Sequence, residues 1–297
     1  LQQMKMITTA DKEKQSRETI GSNGILIGLD VGGSITKIVG FHKGKLLKET
    51  LVKASDPVAS AYGALGKFML LNGLRLDQVE AIRITGVGAS YVEDSELLEL
   101  PSIIVPEFDA VGLGGLYTAQ AERAVVVSMG TGTSFVYADM KTIRHIIGSG
   151  VGGGTLLGLG QTMLGVRDFE SISEMSLEGD LRKIDLSVGD ISRYDIPGLS
   201  ADTTASNFGR VDERVTPSDL AHGIVNLVFQ SVGTAAVLAA RLEEVDKIIF
   251  TGNLLRIDSG RTVLKGFAEL YNVEIVIPEH AEFATAIGAA LYDSSVT

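Results

Sequence analysis

The residues best suited to chemistry lie in a short acidic, glycine-rich turn, residues 30–37, between two apolar runs. Gly32 and Gly33 let the backbone turn tightly and approach a ligand closely. Such a turn presents several N–H groups at one point, which suits a phosphate, and Asp30 can hold a divalent cation directly or through water. Side chains that add hydroxyl donors or positive charge are Ser34, Thr36 and Lys37. By itself the segment fits a plain hairpin turn equally well, because short glycine motifs arise often by chance.

A second turn of the same kind, residues 130–134, again lies between two apolar runs. Two such hairpins, each opening an α/β unit, predict an internally duplicated fold in which two phosphate loops face each other across a cleft. A third glycine run, residues 148–154, leads through Thr155 into a helix-like segment. Glycines at a helix start bring N–H groups and the positive helix end to a nucleotide; the same residues also fit a flexible loop.

Strands and helices alternate around these turns, and this order predicts an α/β fold. The apolar run 247–250 ends in Thr251-Gly252-Asn253, and ligands of open α/β sheets bind at the carboxyl ends of strands. We predict a disordered tail over residues 1–23 and two domains, residues 24–120 and 121–297.

The composition excludes several classes of protein. The chain has 297 residues, 45% of them hydrophobic, so it buries a sizeable core. Its net charge of −11 argues against nucleic acid or an anionic membrane as the main partner. It has no cysteine, which fits a reducing compartment such as the cytoplasm. The longest uncharged stretch, 223–240, contains polar residues and is predicted to be a buried helix, not a membrane span.

Taken in order, these motifs resemble the actin-like ATPase and sugar-kinase superfamily, in which two RNase-H-like domains clamp ATP between their hairpins. Within it, the chain resembles the type II pantothenate kinases, which open coenzyme A synthesis. A sugar-specific kinase is not expected to carry both PEFDA and ASNFG. The segments that carry the resemblance are DVGGSITK (30–37), PEFDA (106–110), MGTGTS (129–134), GSGVGGGT (148–155), EGDLRKIDLSVGDI (178–191), ASNFG (205–209) and FTGNLL (250–255).

The resemblance implies a homodimer that uses ATP and Mg²⁺ to phosphorylate pantothenate, with Asp30 at the metal. It implies that Glu107 is the general base that takes the proton of the primary hydroxyl of pantothenate. Without the resemblance, the sequence favours a solvated or helix-capping acid at Glu107 over a catalytic base, and Asp109 is a weaker second candidate. The ATP-binding residues implied are Asp30, Gly32, Gly33, Ser34, Thr36, Lys37, Thr131, Gly132, Gly152, Gly153, Gly154, Thr155, Phe169 and Asn253. The substrate residues implied are Ser134, His145 and Asn207.

One position departs from the family pattern. The family has an arginine three residues before the first glycine of GSGVGGGT, whereas this chain has His145, with Arg144 beside it. We predict that Arg144 supplies the catalytic charge if the strand register slips. Neighbouring residues of a strand point to opposite faces, so the exchange alters the chemistry of the site.

Two other functions stay open on the sequence. One is an actin-like kinase for another hydroxylated molecule, such as a sugar or an amino sugar. The other is a nucleotide-binding homologue without turnover. The departure from the family pattern at His145 is the reason to consider it. A substrate screen and a test of phosphotransfer separate these readings.

Overall fold

The computed structural model describes residues 24–33, 35–53, 55–92 and 97–293; the predicted tail over residues 1–23 lies outside them. The contacts divide the chain into two compact units, Leu1–Thr118 with Phe283–Thr297, and Ala119–Glu282. The first boundary falls within two residues of the predicted one at residue 120. The assignment of the C-terminal segment to the second domain is wrong, since residues from Phe283 onward belong to the first unit.

The strands are β1 (Ile25–Val31), β2 (Ile35–His42), β3 (Lys45–Leu46), β4 (Thr50–Lys53), β5 (Val79–Thr85), β6 (Ser102–Ile104), β7 (Arg123–Met129), β8 (Thr133–Asp139), β9 (Ile143–Ser149), β10 (Leu186–Ser187), β11 (Thr204–Ser206), β12 (Lys247–Thr251) and β13 (Glu274–Val276). The α-helices are α1 (Pro57–Asn72), α2 (Ala89–Val92), α3 (Glu107–Ala119), α4 (Gly153–Leu164), α5 (Phe169–Glu178), α6 (Val188–Ile191), α7 (Pro217–Leu242), α8 (Asp258–Tyr271) and α9 (Ala284–Leu291). Short 3-10 turns cover Leu76–Gln78, Leu97–Glu99, Leu181–Lys183, Asn253–Arg256 and Ala281–Phe283.

The first unit is built on a sheet of order β3-β2-β1-β5-β6, with β4 paired to β2. Alternate residues of β1, from Ile25 to Val31, pack with α1 in one apolar core. Helix α1 begins where Asp56 accepts the N–H of Ala59 at 2.7 Å, and Pro57 suits the first helical position. The strand period of two thus leaves the other face of β1 for a different partner.

Helix α9 covers that other face of β1, which explains why the C-terminal segment belongs to the first unit. A Cβ on Gly28 would lie 2.0 Å from the carbonyl oxygen of Ala286. Helix α9 also contacts α3, where a Cβ on Gly288 would lie 1.8 Å from the carbonyl oxygen of Ala110. Only small residues permit such approaches, which explains the small residues of α9.

The second unit has a sheet of order β13-β12-β7-β8-β9 and a separate pair, β10 with β11. Helix α7 is the centre of its core. Thr216 caps α7: its hydroxyl accepts the N–H of Asp219 at 3.2 Å, and Asp219 accepts the N–H of Thr216 at 2.9 Å. Helix α7 is long and apolar enough to cross a membrane, but 67% of its apolar window is buried, as in a core helix of a globular unit.

The two units share a design, as the repeated turns predicted. In each, an antiparallel hairpin pairs in parallel with a later strand: β1–β2 with β5, and β7–β8 with β12. Each later strand ends in Thr-Gly, and both glycines have positive φ, 92° at Gly86 and 102° at Gly252. At these carboxyl ends, Asp30 of the first hairpin pairs with Thr85, and Ser128 of the second hairpin pairs with Thr251.

Candidate active site

The acidic turn of the first unit is a tight hairpin. Asp30 lies opposite Lys37 in the β1–β2 register, and the Lys37 Nζ is 3.7 Å from the Asp30 Oδ2. The N–H of Gly32 donates to the carbonyl oxygen of Ile35 at 3.1 Å, so it serves the turn itself. Gly33 is exposed, with no atom within 4 Å of the position of a Cβ. Ser34 lies outside the described residues.

The environment of Thr36 differs from the one expected of a residue that binds phosphate. Its side chain is fully buried, and the hydroxyl of Ser60 on α1 donates to it at 2.5 Å. A buried hydroxyl in this position fastens the strand to the helix. The predicted contact of the Thr36 hydroxyl with ATP is therefore not supported, although the hairpin that it holds is the one predicted.

The acids of the first unit influence each other. Burial raises the pKa of Asp30, and the nearby Lys37 opposes that rise. Glu107 is the first residue of α3 and is exposed, yet desolvation by the surrounding protein, together with the negative charge of Asp30, raises the pKa of Glu107. Burial also raises the pKa of Asp109, where no neighbouring charge is a cause. The structure thus brings Glu107 close enough to Asp30 for their charges to interact.

In the second unit, two glycine segments pack backbone against backbone. The N–H of Gly153 donates to the carbonyl oxygen of Gly130 at 2.9 Å, and that of Gly154 to Thr131 at 2.8 Å. A Cβ at Gly152 would lie 2.7 Å from the carbonyl oxygen of Thr131. Glycines at this point therefore allow the turn at 130–132 and the start of α4 to meet.

The predicted site residues around this loop pair differ in their hydrogen bonds and in their exposure. Thr155 donates to the carbonyl oxygen of Gly150 at 3.0 Å and accepts the N–H of Gly152 at 3.3 Å, so it fastens the start of α4. Thr131 is exposed, and Gly132 and Ser134 are half-buried. The structure brings together the predicted ATP residues Thr131, Gly132 and Gly152 to Thr155 at the loop pair. Ser134, a predicted substrate residue, lies opposite Gly148 on the adjoining strands.

Arg256, which was not among the predicted site residues, links Phe169 to the turn that starts at Asn253. Arg256, in the turn that starts at Asn253, has its guanidinium carbon 5.7 Å from the centre of the Phe169 ring. The same guanidinium lies 3.7 Å from a carboxylate oxygen of Glu170 and 3.7 Å from one of Glu282. Within the described chain, the side-chain oxygen of Asn253 is buried without a hydrogen-bond partner, so it is an acceptor in need of a donor.

A bulge at Ile146 in the β8–β9 pair decides which strand face Arg144 and His145 occupy. Phe135 pairs with Ile147, but the next residue, Val136, pairs with His145, so the register shifts by one. His145 consequently shares a strand face with Ser134, and its Nε2 is 3.8 Å from the position of a Cβ at Gly148.

Arg144 points to the other face and has other partners. Its guanidinium carbon lies 5.1 Å from the centre of the Tyr137 ring, and it forms an ion pair with Glu243 at the end of α7. The bulge brings His145, and not Arg144, to the side of the glycine loops. The catalytic role predicted for Arg144 therefore has no support in this geometry.

Asn207 belongs to a buried polar network instead of a visible binding surface. Its amide donates to Asp185 at 3.2 Å, and Asp185 also accepts the amide of Asn226 at 2.6 Å and the N–H of Phe208 at 2.8 Å. Phe208 has a φ of 57°. This part of the ASNFG motif thus holds a loop to α7 through Asp185, and the substrate role of Asn207 stays a prediction.

Comparisons with known proteins agree with this architecture. A family model described as Fumble matches residues 120–292. The chain is 31% identical over 280 residues to the type II pantothenate kinase of Staphylococcus aureus (strain USA300), covering 89% of this chain and 97% of the relative. The chain belongs to the type II pantothenate kinase family. The family and the enzyme class predicted from the motifs, a kinase, are therefore confirmed.

Solved structures confirm the fold. The activator of the 2-hydroxyisocaproyl-CoA dehydratase from Clostridium difficile with bound ADPNP has a TM-score of 0.65, at 17% identity over 90% of this chain and 93% of that one. A ROK family glucokinase from Streptomyces griseus in complex with glucose and AMPPNP has a TM-score of 0.56, at 14% identity over 90% of this chain and 98% of that one. This type II pantothenate kinase family member thus has the α/β fold of actin-like ATPases and ROK kinases.

Proposed function

We propose that this chain transfers the γ-phosphoryl group of ATP to the primary hydroxyl of pantothenate, the first step of coenzyme A biosynthesis. Family membership and the match along 97% of a type II pantothenate kinase support the reaction. The observation that carries the mechanism is the raised pKa of Glu107, which results from desolvation by the surrounding protein and from the negative charge of Asp30. A carboxylate with a raised pKa is a stronger proton acceptor than an ordinary one.

Glu107 acts as the general base in this proposal. Its carboxylate takes the proton of the attacking hydroxyl while the hydroxyl oxygen forms a bond to the γ-phosphorus and the bond to the β-phosphate oxygen breaks. Phosphoryl transfer depends mainly on positioning and on neutralisation of charge, so one well-placed base suffices. The Lys37 ammonium, 3.7 Å from Asp30, supplies fixed positive charge to the same turn.

Mg²⁺ fits the side chains of the first unit. No group of three or more potential ligands (His, Cys, Asp or Glu) forms a metal cluster among the residues described. Mg²⁺ needs no such cluster, because it is usually held by one or two carboxylates, by water and by substrate phosphates. Asp30 would hold the ion, which would neutralise charge on the transferred phosphate.

Each unit, taken by itself, has residues that we assign to ATP. In the first unit these are the main chain of the acidic turn and Lys37; in the second, the paired glycine segments with Phe169 and Asn253. The unpartnered side-chain oxygen of Asn253 supports the second assignment, because a buried acceptor needs a donor from a ligand or water. A homodimer, a cytoplasmic location, and the lack of nucleic-acid or membrane partners stay proposals.

The test is ADP release by the purified protein with Mg-ATP, with and without pantothenate. Glu107→Gln is expected to lower kcat by about 100-fold or more, because it removes the base and keeps the shape. Asp109→Asn, in the same helical turn, compares the other acid, and we expect a clearly smaller loss. Equal losses of kcat in the two variants would show that the assignment of Glu107 as the base is wrong. ATP binding without pantothenate-dependent turnover in the parent would refute the substrate.

A further inference from the structure

Thr85 is the last residue of β5 and is fully buried. In the part of the chain that the structure describes, its hydroxyl has no hydrogen-bond partner. A buried hydroxyl without a partner is destabilising, and such groups in folded proteins call for an explanation, such as a bound water, an ion or a catalytic role. No role has been given to Thr85 in the site described above.

The duplicated fold contains an internal comparison. Thr251 ends β12 as Thr85 ends β5, and each is followed by a glycine of positive φ. Thr251 lies opposite Ser128 on the neighbouring parallel strand, and Thr85 lies opposite Asp30. The Thr251 hydroxyl donates to the carbonyl oxygen of Val127 at 3.3 Å. The fold can therefore provide a hydrogen-bond acceptor for a threonine hydroxyl at this position, yet among the described residues of the first unit the Thr85 hydroxyl has none.

The surroundings of Thr85 point to the acidic turn. Residues paired across neighbouring parallel strands present their side chains on one face, with strands about 4.8 Å apart. Asp30 and Thr85 are such a pair. The Asp30 Oδ1 is 2.7 Å from where a Cβ would lie on Gly86, so the carboxylate sits over the residue that follows Thr85. The negative charge of Asp30 is also one cause of the raised pKa of Glu107.

We propose that the Thr85 hydroxyl donates a hydrogen bond to a bound oxygen ligand that it shares with the Asp30 carboxylate. A single oxygen at about 2.8 Å from each group spans neighbouring strands. That oxygen is water in the free protein. In the complex it belongs either to the hydration shell of the cation at Asp30 or to the phosphoacceptor hydroxyl. Thr85 is then a third polar group of the site, beside Asp30 and Glu107, and this inference rests on the proposed function.

Three variants test the proposal. Thr85→Val keeps the volume and removes the hydroxyl, Thr85→Ser keeps the hydroxyl, and Thr251→Val removes the matching hydroxyl of the second unit. We expect Thr85→Val to keep the melting temperature but to lose about 10- to 100-fold in kcat/KM, the loss typical of a hydrogen bond to a charged or reacting group. Thr85→Ser retains most activity. Thr251→Val melts about 2 to 4 °C lower, with kcat unchanged.

The kinetic arms distinguish the two sources of the oxygen. A raised Mg²⁺ requirement in Thr85→Val assigns the oxygen to the cation shell, and a raised KM for pantothenate at saturating Mg²⁺ assigns it to the phosphoacceptor. Unchanged kinetics in Thr85→Val overturn the proposal. Equal loss of activity and melting temperature in Thr85→Val and Thr85→Ser overturns it too, because a packing role explains that result.

A crystal structure of the parent gives a readout independent of turnover. We expect an ordered oxygen within hydrogen-bond distance of the Thr85 Oγ1. A Thr85 hydroxyl that donates to a main-chain carbonyl overturns the proposal. Should the parent fail to phosphorylate pantothenate, the proposed function fails alone. The crystal structure, and the Mg²⁺ dependence of binding of a non-hydrolysable ATP analogue to Thr85→Val, then decide the inference about Thr85.

Discussion

Replacing Gly252 with alanine tests how the second unit positions Asn253. Gly252 has a φ of 102° and a ψ of 172°, a backbone region that residues with a side chain rarely adopt. An added Cβ would lie 2.4 Å from the carbonyl oxygen of Met129 and 2.7 Å from its nitrogen. Met129 ends β7 and is followed by the glycine turn at 130–132. The methyl group therefore forces apart the turn and the segment that carries Asn253.

The magnitude follows from two effects. Backbone strain at such a position costs about 1 to 3 kcal/mol, and overpacking against a rigid backbone costs a further 1 to 3 kcal/mol or so. Gly73→Ala is the matched control, because Gly73 also has positive φ, 63°, but no atom lies within 4 Å of its Cβ position. The control bears only the backbone cost, about 1 to 2 kcal/mol.

The assay combines thermal unfolding with calorimetric titration of a non-hydrolysable ATP analogue. We expect Gly252→Ala to lower the free energy of unfolding by about 2 to 6 kcal/mol and to weaken analogue binding by about tenfold or more. Gly73→Ala keeps the parent's affinity. The reasoning is refuted if the two variants lose equal stability and both bind the analogue as the parent does, since the contact with Met129 would then be without consequence.

Two further predictions concern a buried acid and the β9 pair. Burial alone would raise the pKa of Asp219. Hydrogen bonds from two main-chain N–H groups, from the Thr216 side chain and from Lys183 instead hold that pKa well below its usual range. The ionised form therefore stabilises the fold above about pH 4, and that stabilisation is lost as the pH falls further. We expect Asp219→Asn to lower the free energy of unfolding by about 2 to 4 kcal/mol at neutral pH. In urea titrations the difference in free energy of unfolding between parent and variant shrinks below about pH 4, and a constant difference would contradict the linkage. Arg144→Gln removes the ion pair with Glu243 and the contact with Tyr137, so we expect a lower melting temperature with little change in kcat. We expect His145→Gln to lower kcat/KM for pantothenate and to keep the melting temperature. The reverse pattern in ADP-release and unfolding assays would show that Arg144, not His145, is the catalytic residue.

Several features were predictable because they depend on neighbours in the chain. The two hairpins, the strands that lead to Thr85 and Thr251, and the Thr216 cap of α7 follow from local apolar periodicity, glycine placement and capping chemistry. The order of the motifs also identified the family, and thus the fold. The turns and the cap depend on neighbouring residues, and the motif order is written in the chain itself, so neither requires knowledge of the tertiary contacts.

Predictions about individual side chains were less secure. Thr36 has the residue type of a phosphate ligand, yet its hydroxyl is buried against Ser60 on a helix that begins 21 positions later at Pro57. Asn207 has the amide of a substrate ligand, yet it serves Asp185 in a buried network. Residue type limits what a group can bind, and only its burial and partners decide what it does bind.

The sequence by itself determined the duplicated α/β design, the family and the positions of the glycine turns, since all of these follow from local chain chemistry and motif order. Only the tertiary structure decided three things. It placed α9 in the first unit through the close contact at Gly28. It brought His145, not Arg144, to the Ser134 face through a one-residue bulge. It left the hydroxyl of Thr85 buried opposite Asp30. Each depends on contacts between segments far apart in the chain, and the free energy of those contacts is set by packing that no local pattern encodes.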